Sequence, residues 1–217
     1  NGSFETCIAN ATSRTNLVNN LMSTMTTEQY DGFDIDIEPL TSSSTGGSPS
    51  PLRLFSEALY NALSGVKHLL VYGPSGAGKT SLIECGLRNQ FSDADWFALT
   101  IRRGDDMTAS FYSTINDALR EKIPLNPATR RPLATGFDFG QAIECLFAER
   151  YQPVYLLFDQ FEELLIQSSK QEKEDFFSSL NRLIRYKVPC RVILIMREEF
   201  IGHLSEFEPL CPSIFQH

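Results

Sequence analysis

Basic residues are the scarcer charge in this 217-residue sequence: 19 Lys and Arg stand against 27 Asp and Glu, a net of −8. That balance leaves no broad basic face for nucleic acid or an anionic membrane, so neither is expected as a partner. Long apolar runs are missing too. The longest, Val154 to Phe158 and Val192 to Met196, are strand-length, far below the roughly 20 residues a bilayer-spanning helix needs. The five cysteines (Cys7, Cys85, Cys145, Cys190, Cys211) are scattered and never spaced Cys-x-x-Cys. Their odd number and spacing argue against a disulfide framework or structural zinc and favour a reducing, cytoplasmic setting. His68, His203 and His217 make no ligand spacing with acids or cysteines, so no metal is expected beyond one carried in by a ligand. No N-K-x-D pattern marks a guanine pocket. The chain starts at Asn1 without an initiator methionine or a charged-then-apolar leader, and both ends read as cut.

What the sequence does hold is 42% hydrophobic residues with 16 phenylalanines, enough for one sizeable core. Cys85, on the first helix of that core, Trp96 and the phenylalanines read as packing residues. From Thr41 to Pro51 every residue is Ser, Thr, Gly or Pro. Such a composition buries too little apolar area to offset its ordering entropy and reads as a linker. It separates residues 1–40 from residues 52–217, and the charge shifts with it: residues 1–50 hold six acids and one base. Beyond it, apolar spacing predicts a helix from Pro51 to Ser64-Gly65, a strand at His68–Tyr72 and a helix at Gly78–Asn89. A strand at Trp96–Ile101, helices across Met107–Glu121 and Gly140–Arg150, and a strand at Val154–Phe158 follow. A helix at Gln171–Lys187 and a strand at Arg191–Met196 close the series. Strands alternating with helices imply an α/β fold in three layers, a mostly parallel sheet with helices on both faces.

Gly73 to Thr80 reads GPSGAGKT and fits G-x-x-x-x-G-K-[ST] in its required setting, after a strand and opening a helix. Gly73, Gly76 and Gly78 let backbone N–H groups turn inward and crowd a phosphate, with Pro74, Ser75 and Ala77 completing the loop. The helix N-terminus adds the positive end of its dipole. Lys79 would reach the β- and γ-phosphates and the Thr80 hydroxyl would ligate Mg²⁺, with Ser81 the second-ranked hydroxyl. A glycine turn without ligand is the bland alternative, and the strand-loop-helix context weighs against it.

A phosphate loop needs an acidic partner on a neighbouring strand. VYLLFDQFEE supplies Asp159 at a strand's C-terminal end, placed to hold Mg²⁺ through its water shell. Glu162 and Glu163 follow where the chain has left the strand, and either could orient or deprotonate an attacking water. RVILIM runs into Arg197, on the ligand side of a parallel sheet, where it could touch a γ-phosphate. The alternative is an Arg capping a surface turn. The reaction these groups suggest is hydrolysis of Mg-ATP by in-line attack of water.

The stretches GPSGAGKTSLIECGL, VYLLFDQFEELL and VILIMREEFIGHL resemble the NTPase core of the STAND class. The DQFEEL form and the R-x-x-F ending are most similar to its novel STAND branch, over about residues 52–217. The resemblance implies a P-loop NTPase fold and an ATP-dependent switch, closed with ADP and assembling into a homo-oligomer on ATP exchange when a sensor domain meets its trigger. It gives Lys79 and Thr80 the Walker A roles, Asp159 the Walker B role, Glu162 and Glu163 the paired acids and Arg197 the sensor-arginine role. The helical, winged-helix and sensor or effector parts that normally accompany such a core are not found before His217.

A second motif lies upstream. Asp31 to Glu38 reads DGFDIDIE, and strand alternation would put Asp34, Asp36 and Glu38 on one face. Crowded carboxylates raise at least one pKa, which suits a general acid. DGFDIDIE resembles the active-site strand of family 18 glycoside hydrolases and Ser13 to Thr24 the helix before it, so that residues 1–40 resemble a fragment of a chitinase-like barrel. The resemblance gives proton donation to Glu38 and support of a substrate-assisted attack to Asp36. A complete barrel takes about 250 residues, so the fragment is expected to be catalytically silent. A glycosidase centred on Glu38 and a non-catalytic module whose assembly nucleotide orders stand as the alternative functions.

Overall fold

Strands with apolar side chains on both faces have to be covered on both faces, and that requirement organises the molecule. The structure is a computed structural model and describes residues 67–122 and 137–214, the strand at 32–36 and residues 10, 12, 13 and 16. The expected linker at 41–51, the helix from Pro51, Glu38 and most of the helix-like stretch at 13–24 lie outside the described residues.

The strands are β1 (Gly32–Asp36), β2 (His68–Gly73), β3 (Phe97–Ile101), β4 (Val154–Phe158) and β5 (Cys190–Arg197). They form one parallel sheet in the order β1-β2-β5-β4-β3. Every residue of β4 is buried. On one face Leu70, Leu156, Phe158, Val192, Leu194 and Met196 join the core with Phe111, Ile115, Phe139, Ile143, Phe176 and Leu180. Those partners come from α2 (Met107–Lys122), α3 (Phe139–Arg150) and α5 (Lys170–Arg185). The alternate strand residues Leu69, Val71, Leu157, Ile193 and Ile195 are buried too, and strand alternation turns them to the opposite face. α1 (residues 79–90) lies after β2 and buries Leu82, Ile83 and Leu87.

α1 starts α-helical at Lys79–Ser81, widens to π winding over Leu82–Leu87 and tightens to a 3-10 turn at Arg88–Gln90. The sequence predicts a regular helix here; the wide turn contains Cys85-Gly86, a weak helix-forming pair. Cys85 is exposed, which corrects its reading as a packing residue, whereas Trp96 is buried and stacks on Tyr155 at 4.2 Å. α3 begins with a capping box in which the Asp138 carboxylate accepts from the Gln141 amide at 2.8 Å and the Gln141 side chain accepts from the Asp138 amide at 3.0 Å. Two short helices, α4 (Glu162–Gln167) and α6 (Ile201–Leu204), carry no sequence period because neither completes two turns.

Register sets the site. Gly73 pairs with Arg197 across β2 and β5, Phe158 with Leu194 across β4 and β5, and Ile101 with Phe158 across β3 and β4. The carboxyl ends of four neighbouring strands therefore share one edge, where parallel α/β sheets bind ligands.

Candidate functional site

The loop between β2 and α1 is held open by backbone geometry. Gly76 has φ 78 and Gly78 has φ 88, left-handed conformations that a side chain would strain. A Cβ at Gly76 would meet nothing within 4 Å, so dihedral angle, not crowding, demands glycine there. The loop closes through the Ala77 amide donating to the Pro74 carbonyl at 3.2 Å. Lys79 bends back over it, its Nζ donating to the Gly73 carbonyl at 2.9 Å and the Pro74 carbonyl at 2.8 Å. The ammonium therefore sits at the mouth of this loop, on its own carbonyls.

One residue further, the Thr80 Oγ1 hydroxyl donates to Asp159 Oδ1 at 3.2 Å across 79 positions of sequence. Asp159 follows β4 directly, and its amide extends the ladder by donating to the Ile101 carbonyl at 3.0 Å. Gln160 then turns left-handed at φ 56, and the Phe161 amide donates to the Ile195 carbonyl at 2.9 Å, stapling the turn to β5. The buried Phe161 ring anchors the start of α4.

α4 presents the two glutamates differently. Glu162 is buried and committed to Arg197: Oε1 accepts from Arg197 Nε at 3.0 Å and Oε2 from the Arg197 amide at 3.3 Å. The Arg197 guanidinium also reaches Glu199 at 3.5 Å and lies 5.0 Å from the Phe200 ring centroid. Glu163 is half-buried at the cavity wall, with no hydrogen bond or ion pair to its carboxylate among the described residues.

Ser75, Gly76, Lys79, Thr80, Asp159, Glu162, Glu163 and Arg197 all line one cavity of about 400 Å³, within the range of small-molecule sites. Gly73, Pro74, Ala77 and Gly78 build the loop behind it, and Ser81 is exposed outside the lining. Asp34 and Asp36 stand on β1, where Asp36 pairs with Tyr72.

Sequence reasoning missed Arg102, which follows β3 as Asp159 follows β4. Its Nε and Nη2 both donate to Asp159 Oδ2, at 3.0 and 2.7 Å. That hydrogen bond, and then the charge of Asp159, raise the Arg102 pKa further above its ordinary value. The signal was present, a basic residue at the carboxyl end of a parallel strand, the same position that singles out Arg197. Gln160, Ile166 and Gln167 also line the cavity, brought there by the turn and by α4.

The Thr80 hydroxyl and the Asp159 carboxylate are hard oxygen donors in contact, which suits a magnesium ion shared with a ligand's phosphates. Among the described residues no group of three or more His, Cys, Asp or Glu could hold a metal without such help. No described helix is long and apolar enough to cross a membrane.

Residues 54–217 match the family model described as novel STAND NTPase 1. Among solved structures the chain is similar to Thermomonospora curvata EccC (ATPases 2 and 3), determined in complex with a signal sequence peptide. The identity is 16% and the TM-score 0.36, over 69% of this chain and 28% of that one. No curated protein matches. The chitinase-like resemblance of residues 1–40 gains no support, since the family match begins after them.

Proposed function

Because the chain belongs to the novel STAND NTPase 1 family, we propose that this STAND-type NTPase binds Mg-ATP, hydrolyses it slowly, and uses the bound nucleotide to control self-association and signalling. The observation that carries the reading is the contact of Thr80 with Asp159 beside an open phosphate loop. The absence of a guanine-pocket motif favours ATP over GTP.

The chain's own groups divide the work. Loop amides and the first turn of α1 receive the β- and γ-phosphates, and Lys79 exchanges its two carbonyl partners for phosphate oxygens. Thr80 and Asp159 would hold a magnesium ion brought with the nucleotide, and the chemistry that ion would supply is neutralisation of phosphate charge. Glu163 orients the attacking water and accepts its proton, because its carboxylate is not engaged elsewhere. Glu162 acts through Arg197, fixing the guanidinium at the cavity wall where charge develops on the transferred group. ATP then favours an assembling form and ADP a closed one.

Calorimetric titration with Mg-ATP tests the binding step. Lys79→Ala is expected to weaken binding at least tenfold, in line with a charge-assisted hydrogen bond of about 1.5–3 kcal/mol. Equal affinities would remove the reading. Glu163→Gln should keep Mg-ATP affinity within a few-fold while lowering single-turnover hydrolysis by roughly 100-fold or more. Unchanged hydrolysis would return the water to another group.

A further inference from the structure

Two consecutive arginines leave β3, and the structure treats them differently. Arg103 is sealed in: Nε donates to Ser168 Oγ at 2.7 Å and Nη2 to Glu172 Oε2 at 2.9 Å. Among the described residues Arg102 has a single acceptor, one oxygen of Asp159. Its side chain keeps 60% of its exposure whereas that of Asp159 keeps 5%. Asp159 is thus a buried carboxylate whose two oxygens are divided, Oδ1 to Thr80 and Oδ2 to Arg102. A buried carboxylate needs a counter-charge, and here it comes from a solvent-facing arm able to leave without disturbing the core.

The same carboxylate is the one proposed to serve the divalent cation. Arg102 and the cation are competitors for it, both being positive charges satisfied by Asp159. Arg102 also lines the cavity that holds Lys79 and Ser75, so once released its guanidinium fork is already among groups placed for polyphosphate, a ligand it suits in bidentate fashion.

We propose that Arg102 is an exchangeable counter-ion: it holds Asp159 while no divalent cation is present, and on loading it transfers to the nucleotide's phosphates. The inference rests on the Mg-ATP reading above and adds a device to it. Arg102 keeps Asp159 ordered before loading, opposes metal binding without nucleotide, and rewards the two arriving together.

The role predicts effects of opposite sign from one substitution. In Arg102→Ala, affinity for Mn²⁺ alone, read from the free-ion electron paramagnetic resonance signal of nucleotide-free protein, should rise at least fivefold. Affinity of the same variant for Mg-ATP, read by calorimetry, should fall at least fivefold. Arg102→Lys keeps a charge but not the fork and should show a smaller rise for Mn²⁺ and an intermediate loss for Mg-ATP. A purely structural arginine would lower both affinities or neither, and either pattern, in a chain whose wild type binds Mg-ATP, overturns the exchange. Should wild type fail to bind Mg-ATP, the functional reading falls, while a Mn²⁺ rise would still establish the guarding half.

Discussion

Thiol chemistry shows what burial does to single residues here. Cys190 and Cys211 are buried, and desolvation pushes both thiols up to about 12. Cys85 is exposed on α1, beside Glu84 and Arg88. The thiolate is the nucleophile, so brief iodoacetamide treatment at pH 8 with mass-spectrometric mapping should alkylate Cys85 and spare Cys190 and Cys211 until denaturant is added. Equal native labelling of Cys190 and Cys85 would contradict the packing of β5. The same scale separates what the sequence could reveal from what it could not. Gly73 to Thr80 stood out because the G-x-x-x-x-G-K-[ST] pattern fixes both residue types and spacing, and the structure sets the run as the turn from β2 into α1. Asp159 stood out because it ends an apolar run in a chain that also carries such a loop, and the structure brings its carboxylate to Thr80. Arg102 could have been noticed at its strand's carboxyl end, but its bond to Asp159 could not, since that partner lies 57 positions away and only the pairing of β3 with β4 makes them neighbours. Glu162 and Glu163 looked equivalent in sequence, and the helical turn of α4 is what aims one at Arg197.

Between elements, a single ionic joint ties the exit of β3 to α2 and α5. The Glu172 carboxylate accepts from Arg103 and, at 3.2 Å, from the Met107 amide that opens α2. Burial by itself would raise the Glu172 pKa; the hydrogen bonds from Arg103, Ser168 and Met107 outweigh it and hold the carboxyl below its ordinary value. A depressed carboxyl contributes stability that is present above the unfolded value, about 4.3, and is lost as pH falls through the lower folded value. Glu172→Gln leaves Arg103 buried without its counter-charge and should cost about 3 kcal/mol at pH 7. As pH falls from 7 through the lower folded value, wild type itself loses the charge and the gap between the two should narrow. Urea unfolding across a descending pH series measures it, and a gap of unchanged size throughout would show that the joint is not ionic. No periodicity could have disclosed this joint, because its members come from a strand exit, a loop and two helices. The helices themselves were readable: α5 buries Phe176, Phe177, Leu180, Leu183 and Ile184, the stripe that the spacing predicts.

At the scale of the whole molecule, which strands exist was readable from their apolar runs, but their order was not. Nothing within β2 or β5 states that they are neighbours; that follows from covering both faces while bringing Gly73 beside Arg197. β1 is the sharpest case, because its sequence resembled a different fold and yet it pairs in parallel along the outer edge of β2 over five residue pairs. The energetics of that pairing can be weighed. Each ladder hydrogen bond contributes about 0.5–1.5 kcal/mol net, and ordering each residue's backbone costs about 1–2 kcal/mol. Over so short a strand the two nearly cancel, so a chain of residues 54–217 should keep a urea midpoint close to that of the 217-residue protein. The edge of β2 is another matter: stripped of β1, its unpaired N–H and C=O groups become a template for a second chain. The shortened chain should therefore self-associate in sedimentation velocity at concentrations where the 217-residue chain does not. That association should be indifferent to Mg-ATP, which separates it from the nucleotide-driven assembly proposed above. If the shortened chain stays monomeric across the same range, β1 is not what protects the edge, and its contribution to the sheet is confined to the ladder itself.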